Sequence, residues 1–207
     1  MKIAVEKLNE TGAIVVNLTC DNPSNNWAML SELGAKLNLK GLKVSLDLYN
    51  GLGKHIYATP DVCHLLKLVR NTLGDLKYIH DGDDGIICWK YIAKLQEVQH
   101  MKGLHMATKL RNKHINWQGN KMSVTIAAQT LSASVANAID YCRDTLKMKE
   151  FEGSEATTRF IRTFDKLFDI LNSRNRFGRG LKAPIKQDNY DAVSAYFKEA
   201  VHYITSV

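Results

Sequence analysis

The chain contains the segment Ser154-Glu-Ala-Thr-Thr-Arg-Phe-Ile-Arg-Thr-Phe-Asp-Lys-Leu-Phe-Asp-Ile-Leu-Asn-Ser-Arg-Asn175, which predicts an amphipathic helix that ends in polar groups. Apolar side chains recur at helical spacing and form a wide face for packing: Phe160, Phe164, Leu167, Phe168 and Leu171. Another face carries polar groups at steps of three and four: Arg162, Asp165, Asp169 and Asn172. A carboxylate, an amide and a basic group beside an aromatic edge can bind a planar ligand that forms hydrogen bonds.

The composition is that of a folded, basic protein. Of its 207 residues, 45% are hydrophobic, which is enough for a sizeable core, and the formal net charge of +7 favours polyanionic partners. The basic excess is concentrated in two acid-free stretches. Residues 98–139 contain no Asp or Glu, and the second stretch holds Arg174, Arg176, Arg179, Lys182 and Lys186. Charge alone leaves two interpretations open, solvated basic faces and phosphate-binding surfaces.

Two regions of the chain differ in their patterns. Residues 1–71 mix strand and helix signals, with a buried strand predicted over residues 13–20. From residue 72 onward the signal is almost wholly helical, with helices predicted over residues 86–101 and 122–146. No apolar run approaches the ~20 residues of a membrane span, so no membrane partner is expected. The sequence predicts an α+β, predominantly α protein in which an α/β unit is followed by an all-α domain from residue 72.

Asp21 is the strongest chemical candidate in the first region. It follows the predicted strand directly, at the edge where α/β sheets present their ligands. A carboxylate there can hold Mg²⁺, which prefers oxygen ligands and often shares them with a phosphate. The alternative is a helix N-cap or an Asx turn, which the spacing by itself favours.

Asp169 and Asn172 suit the recognition of a guanine base. Guanine presents adjacent N–H donors on its Watson–Crick edge, and one carboxylate can accept both of them. An aromatic ring such as Phe168 can stack on the base, a contact worth ~1–3 kcal/mol in single-strand binders. The alternative is a helix C-terminus that happens to carry Asn and Arg residues.

Four motifs occur in one order and together resemble the P-element-type DNA transposases, including the animal transposase-like proteins that carry a THAP zinc finger. These motifs are Asp61-Val-Cys-His-Leu-Leu-Lys-Leu-Val-Arg-Asn71, Lys109-Leu-Arg-Asn-Lys-His-Ile115, Ala127-Ala-Gln-Thr-Leu-Ser132 and the segment from Ser154 to Asn175. The resemblance covers nearly the whole chain.

The resemblance implies two domains. Residues 1–71 would form part of an RNase H-like catalytic domain, in which three acidic residues of the family hold two metal ions, and Asp21 would be the second of these acids and a Mg²⁺ ligand. Residues 72–207 would form a helical insertion that binds GTP as a structural cofactor. The matching base contacts are Phe168, Asp169 and Asn172, and further nucleotide contacts fall at Lys109, Val124 and Ser132.

Departures from the family pattern limit the expected activity. The strand that carries the first acid, the helix that carries the last acid and the zinc finger are not in this sequence, and Ser123 stands where a lysine contact is expected. Two-metal chemistry therefore has no complete site.

We expect a fragment of a transposase that is catalytically incomplete alone. Its expected partners are DNA and a guanine nucleotide, and its expected compartment is the nucleus. Self-association is a further expectation. The alternative is a non-enzymatic basic helical module that binds nucleic acid through phosphates or serves as a scaffold.

Overall fold

A computed structural model describes residues 1–21, 24–36, 38, 41–46, 55–103 and 106–207. The chain divides into two compact units, Met1–Leu65 and Leu66–Val207. The boundary falls within a helix, and the predicted boundary after residue 71 falls within the same helix. Among the described helices, none combines the length and the apolar content that a membrane span requires.

The first unit is a small α/β unit. Its elements are α1 (Lys2–Glu10), β1 (Asn17–Cys20), α2 (Ser24–Glu32), β2 (Ser45–Leu46), β3 (Ile56–Pro60) and the start of α3 (Val62–Leu76). The strands form a sheet in the order β1-β3-β2, with β1 parallel and β2 antiparallel to β3. The strand predicted over residues 13–20 is shorter than expected, and its residues alternate between exposed and half-buried. Successive side chains of a strand point to opposite faces, so the alternation indicates that one face of β1 is turned toward solvent.

The second unit is mostly helical. Its elements after α3 are β4 (Tyr78–His80), β5 (Ile86–Cys88), α4 (Trp89–Lys102), α5 (Asn112–Ile115), α6 (Val124–Thr130), α7 (Ala133–Asp140), a π-helical turn (Tyr141–Thr145), α8 (Glu155–Leu171) and α9 (Tyr190–Ser206). Short 3₁₀ turns occur at Trp117–Asn120, Lys149–Phe151 and Gly180–Lys182. The α+β, predominantly α class is confirmed.

The helix expected from residue 86 begins later, because Ile86–Cys88 pairs with Tyr78–His80 in an antiparallel hairpin. The Asp81 carboxylate closes the turn by accepting the backbone N–H groups of Asp83 and Gly85, at 3.1 and 2.6 Å. The Cys88 N–H then donates to the Thr157 hydroxyl of α8 at 2.8 Å. These non-local bonds hold the residues extended, so the second unit is not purely α-helical as predicted.

The single helix predicted over residues 122–146 is divided at Ser132. Ser132 has an extended backbone (φ −107°, ψ 152°), and its hydroxyl donates to the Gln129 carbonyl at 3.0 Å. A serine side chain that bonds the local backbone competes with the helix ladder, and here it separates α6 from α7. The break presents the N-terminus of α7 toward α8.

The core of the second unit is built around Trp117. This side chain is fully buried, and its ring meets Trp89 edge-on with the centroids 6.5 Å apart. Gly74 lies inside α3, where a Cβ would collide with the Trp117 indole. The absence of a side chain at Gly74 therefore lets the Trp117 ring pack directly against α3.

Candidate functional site

The N-terminus of α7 meets α8 at Asp165. The backbone N–H of Ala133, directly after Ser132, the N-cap of α7, faces the Asp165 carboxylate and lowers its pKa. Burial raises the pKa of Asp165 above its usual range, and the negative charge of Asp169 raises it further. Ser132, the last residue of the Ala127–Ser132 motif, therefore lies near the Asp165 and Asp169 carboxylates of α8.

Asp169 lies one helical turn beyond Asp165 and remains open to a ligand. Its side chain is 27% exposed, and Lys182 Nζ lies 3.4 Å from its Oδ1. The lysine is itself 68% exposed. The Ser173 hydroxyl donates to the Lys182 carbonyl at 2.6 Å, which holds this part of the basic stretch next to the end of α8. The carboxylate thus has an exposed, displaceable counterion.

Phe168 and Asn172 flank Asp169 at the C-terminal end of α8. Phe168 is half-buried and packs with part of its ring against the core. Asn172 is the C-cap, its N–H donates to the Phe168 carbonyl at 2.9 Å, and its side-chain oxygen accepts from Arg174 Nε at 3.1 Å. The three residues predicted to bind the base therefore share one end of one helix.

Lys109 and Val124 lie in the segment around α5 and α6. Lys109 is exposed in the turn before α5, and Val124 is the first, half-buried residue of α6. The described contacts do not join either residue to Asp169. The two helices are linked through His114, which is fully buried: its Nδ1 accepts the Arg111 N–H at 2.9 Å and its Nε2 lies 2.9 Å from Gln129 Oε1.

Sequence reasoning did not assign roles to three residues that organise this area. Asp165 was visible in the polar spacing along α8, and Lys182 in the second acid-free stretch. His114 lies inside one of the family-like motifs, but its role depends on a partner fifteen positions away, Gln129. A long-range hydrogen bond of this kind leaves no periodic signal.

Asp21 lies at the carboxyl end of β1, as predicted, and its side chain is exposed. Its Oδ1 is 4.0 Å from His64 Nδ1, and its carbonyl accepts from the Asn26 side chain at 3.1 Å. Burial, and to a smaller extent the Asp21 charge, raises the pKa of Cys20. Residues 22–23, where the predicted turn would lie, fall outside the described residues.

The surroundings of Asp21 do not fit a magnesium ion. A cavity of about 210 Å³ opens beside the residue, and most of the side chains that line it are apolar: Trp27, Leu30, Leu42, Val44, Ala58 and Pro60. Mg²⁺ requires a near-octahedral set of oxygen ligands. Across the described ranges, no three His, Cys, Asp or Glu side chains come together as a metal cluster would. Asp21 therefore offers one carboxylate and not a metal site.

The chain matches a known protein family over much of its length. Residues 63–184 match the family model described as "TNP-like, GTP-binding insertion domain", which accounts for more than half of the chain. The chain belongs to the P-element-type DNA transposase family. The matched range contains every residue predicted to contact the nucleotide and excludes Asp21.

Two relatives of this transposase family extend the match toward both ends of the chain. The human DNA transposase THAP9 is 28% identical over 200 residues, which is 97% of this chain and 22% of the relative. The chain thus spans about a fifth of the length of that curated relative. The Drosophila P element transposase strand transfer complex matches with a TM-score of 0.82 and 23% identity over 96% of this chain and 43% of that chain. The second match establishes the fold, and this chain aligns with less than half of that chain.

Proposed function

We propose that this transposase segment binds a guanine nucleotide, with GTP as a structural cofactor, at the C-terminal end of α8. The observation that carries the proposal is the position of Asp169 between Phe168 and Asn172, with an exposed lysine as its counterion. All three residues lie within the range that matches a GTP-binding insertion domain. The chain supplies no catalysis of its own in this proposal.

The guanine base would replace Lys182 as the partner of Asp169. An exposed ion pair contributes about 0–1 kcal/mol, so its loss costs little. A carboxylate that accepts two N–H groups in parallel gains charge-assisted hydrogen bonds, which are about twice as strong as neutral ones. Adenine lacks this pair of donors, so the same carboxylate would reject ATP.

The rest of the nucleotide would lie along the surface between α8 and the start of α7. Phe168, whose ring is only half-buried, provides a face for stacking on the base. Lys182, once displaced from Asp169, would be free to approach a phosphate, and the Ser132 hydroxyl at the start of α7 is a further proposed contact. Lys109 and Val124 are the remaining proposed contacts, and they approach from the α5–α6 segment.

The activity of the longer protein is a further part of the proposal. Within a complete transposase, Asp21 would act as one catalytic carboxylate, and a Mg²⁺ ion would need further acids that other segments supply. The partner would be transposon DNA, the compartment would be the nucleus, and the active form would be a homo-oligomer. Strand cleavage is not expected from this chain alone, because one carboxylate does not make a two-metal site.

Titration of labelled GTP and ATP into the purified chain tests the nucleotide proposal. We expect GTP to bind more tightly than ATP and Asp169→Asn to weaken GTP binding by about 30-fold, since losing one charged partner costs roughly 2 kcal/mol. The matched control is Asp188→Asn, which changes an exposed carboxylate beyond the matched range and should leave GTP affinity unchanged.

Two results would contradict the proposal. Equal affinity for GTP and ATP would remove the guanine specificity, and unchanged GTP affinity in Asp169→Asn would remove the assigned contact. Binding of duplex DNA that falls steeply with salt and shows no guanine preference would favour the basic-module alternative instead.

A further inference from the structure

A separate cavity lies between α4 and the segment that leads into α5. It has a volume of about 410 Å³ and is lined on the α4 side by Gln99 and His100, and on the other side by Arg111, Asn112 and Lys113. None of the residues assigned above to the nucleotide lines this cavity. It is therefore a separate feature of the second unit.

Gln99 is the unusual residue of this cavity. Its side chain is 2% exposed, and its Oε1 accepts the Ala107 N–H at 2.6 Å. That bond fixes the orientation of the amide, so Nε2 takes the opposite side of the group. Nε2 is buried and has no hydrogen-bond partner within the part of the chain that the structure describes. A buried donor without a partner is unfavourable, which indicates an acceptor other than the described residues.

The charges around the cavity specify what that acceptor is. Arg111 and Lys113 are exposed and line the cavity, and none of the described residues that line it is acidic. One guanidinium nitrogen of Arg111 donates to the Leu110 carbonyl at 2.9 Å, which holds the group in place and leaves its other N–H groups available. Both cations belong to the acid-free stretch of residues 98–139. An amide donor with two cations binds oxygen atoms that carry negative charge.

We propose that the cavity formed by Gln99, Arg111 and Lys113 binds a phosphate group, as a site separate from the guanine site of α8. Gln99 Nε2 donates to one phosphate oxygen, and the two cations neutralise the others. A phosphate ion and a phosphodiester of nucleic acid share this chemistry.

Inorganic pyrophosphate titrated into the full chain tests the site. In nuclear magnetic resonance spectra, the side-chain amide signals of Gln99 should shift on addition of pyrophosphate. The double variant Arg111→Gln/Lys113→Gln should weaken binding by about tenfold or more, as expected for the loss of charge-assisted bonds. The matched control, Lys149→Gln/Lys198→Gln, removes two exposed cations that do not line the cavity and should bind as the wild type does.

Gln99→Glu provides an independent variant. The carboxylate can still accept the Ala107 N–H, but it removes the donor and places a negative charge where the phosphate would lie, so pyrophosphate binding should be lost. Unchanged affinity in Arg111→Gln/Lys113→Gln would overturn the proposal. Displacement of pyrophosphate by saturating GTP would also overturn it, because the anion would then occupy the nucleotide site.

A short duplex DNA distinguishes the two sources of phosphate. If the site receives a phosphodiester, the double variant should lower the dependence of log affinity on log salt by about two. If the site receives a free ion, the double variant should weaken pyrophosphate binding and leave the DNA salt dependence unchanged. A double variant that alters neither measurement contradicts both forms of the proposal.

Discussion

Asp169 and Asp21 are two candidate functional carboxylates in very different surroundings. Asp169 lies on a long helix between an aromatic ring and an amide, and its nearest cation is an exposed lysine. Asp21 lies at the end of a four-residue strand, with His64 Nδ1 4.0 Å away and apolar side chains around it. A site built along one helix is nearly complete in one short segment, whereas a site at a sheet edge requires ligands from several strands.

The cores that support the two carboxylates also differ. In the described part of the first unit the buried cluster is small, and it consists of Val5, Leu30, Ala35, Leu46, Ile56 and Ala58. The cluster of the second unit is larger and draws on α3, α4, α6, α7 and α8. Because ligand geometry depends on the rigidity of the supporting residues, the second unit is the better equipped to hold a site by itself.

The largest expected effect is that of Trp117→Ala in the second unit. Removing this fully buried ring should lower the free energy of unfolding by about 3–5 kcal/mol, because the cavity cannot close around Gly74 and Trp89. GTP binding should weaken with it. Urea denaturation followed by circular dichroism measures the change.

Met122→Ala is the control, since that side chain is 72% exposed and its loss should cost less than about 0.5 kcal/mol. A cost below about 1 kcal/mol for Trp117→Ala would contradict the packing described here.

Leu46→Ala should have an intermediate effect that is confined to the first unit. The side chain is fully buried, and its truncation should cost about 2–3 kcal/mol, the low end for buried leucines, because the surrounding cluster is small. GTP affinity should not change, and hydrogen exchange should increase in β2 and β3. Ile3→Ala, at a position 72% exposed, is the matched control. Loss of GTP binding in Leu46→Ala would show that the second unit does not hold its site independently.

The smallest effect is expected for Asp165→Asn, and it depends on pH. Because burial raises the pKa of Asp165 in the folded state above the usual 3.8, the folded protein holds this proton more tightly than the unfolded chain does. The contribution of Asp165 to the stability of the wild type should therefore fall as pH rises from below 3.8 to the raised folded pKa, and stay constant above it.

In Asp165→Asn the side-chain oxygen can still accept the Ala133 N–H, but the side chain no longer ionises. Its stability relative to the wild type should therefore increase through that window, by less than about 1 kcal/mol because the group remains half exposed. Urea unfolding at a series of pH values, with Asp188→Asn as the control, measures this difference. A relative stability that falls with rising pH would contradict the assigned shift.

The helical pattern of α8 was predictable because its apolar and polar faces follow a 3.6-residue period, and that period placed Phe168, Asp169 and Asn172 together. The hairpin of Ile86–Cys88 was not predictable in this way, because it depends on pairing with β4 and on the hydrogen bond to Thr157. The break at Ser132 was missed for a related reason, since small residues continue a helical pattern on both sides of it.

The sequence by itself determined the family, the amphipathic helix α8 and the position of Asp21 after a strand, because these follow from motif order and periodicity along the chain. Only the tertiary structure joined Asp165 to the start of α7, set Lys182 against Asp169, and left the Gln99 amide without a partner beside two cations. Those features arise between residues that are distant in the chain, and contacts of that kind are fixed by packing, not by any local pattern.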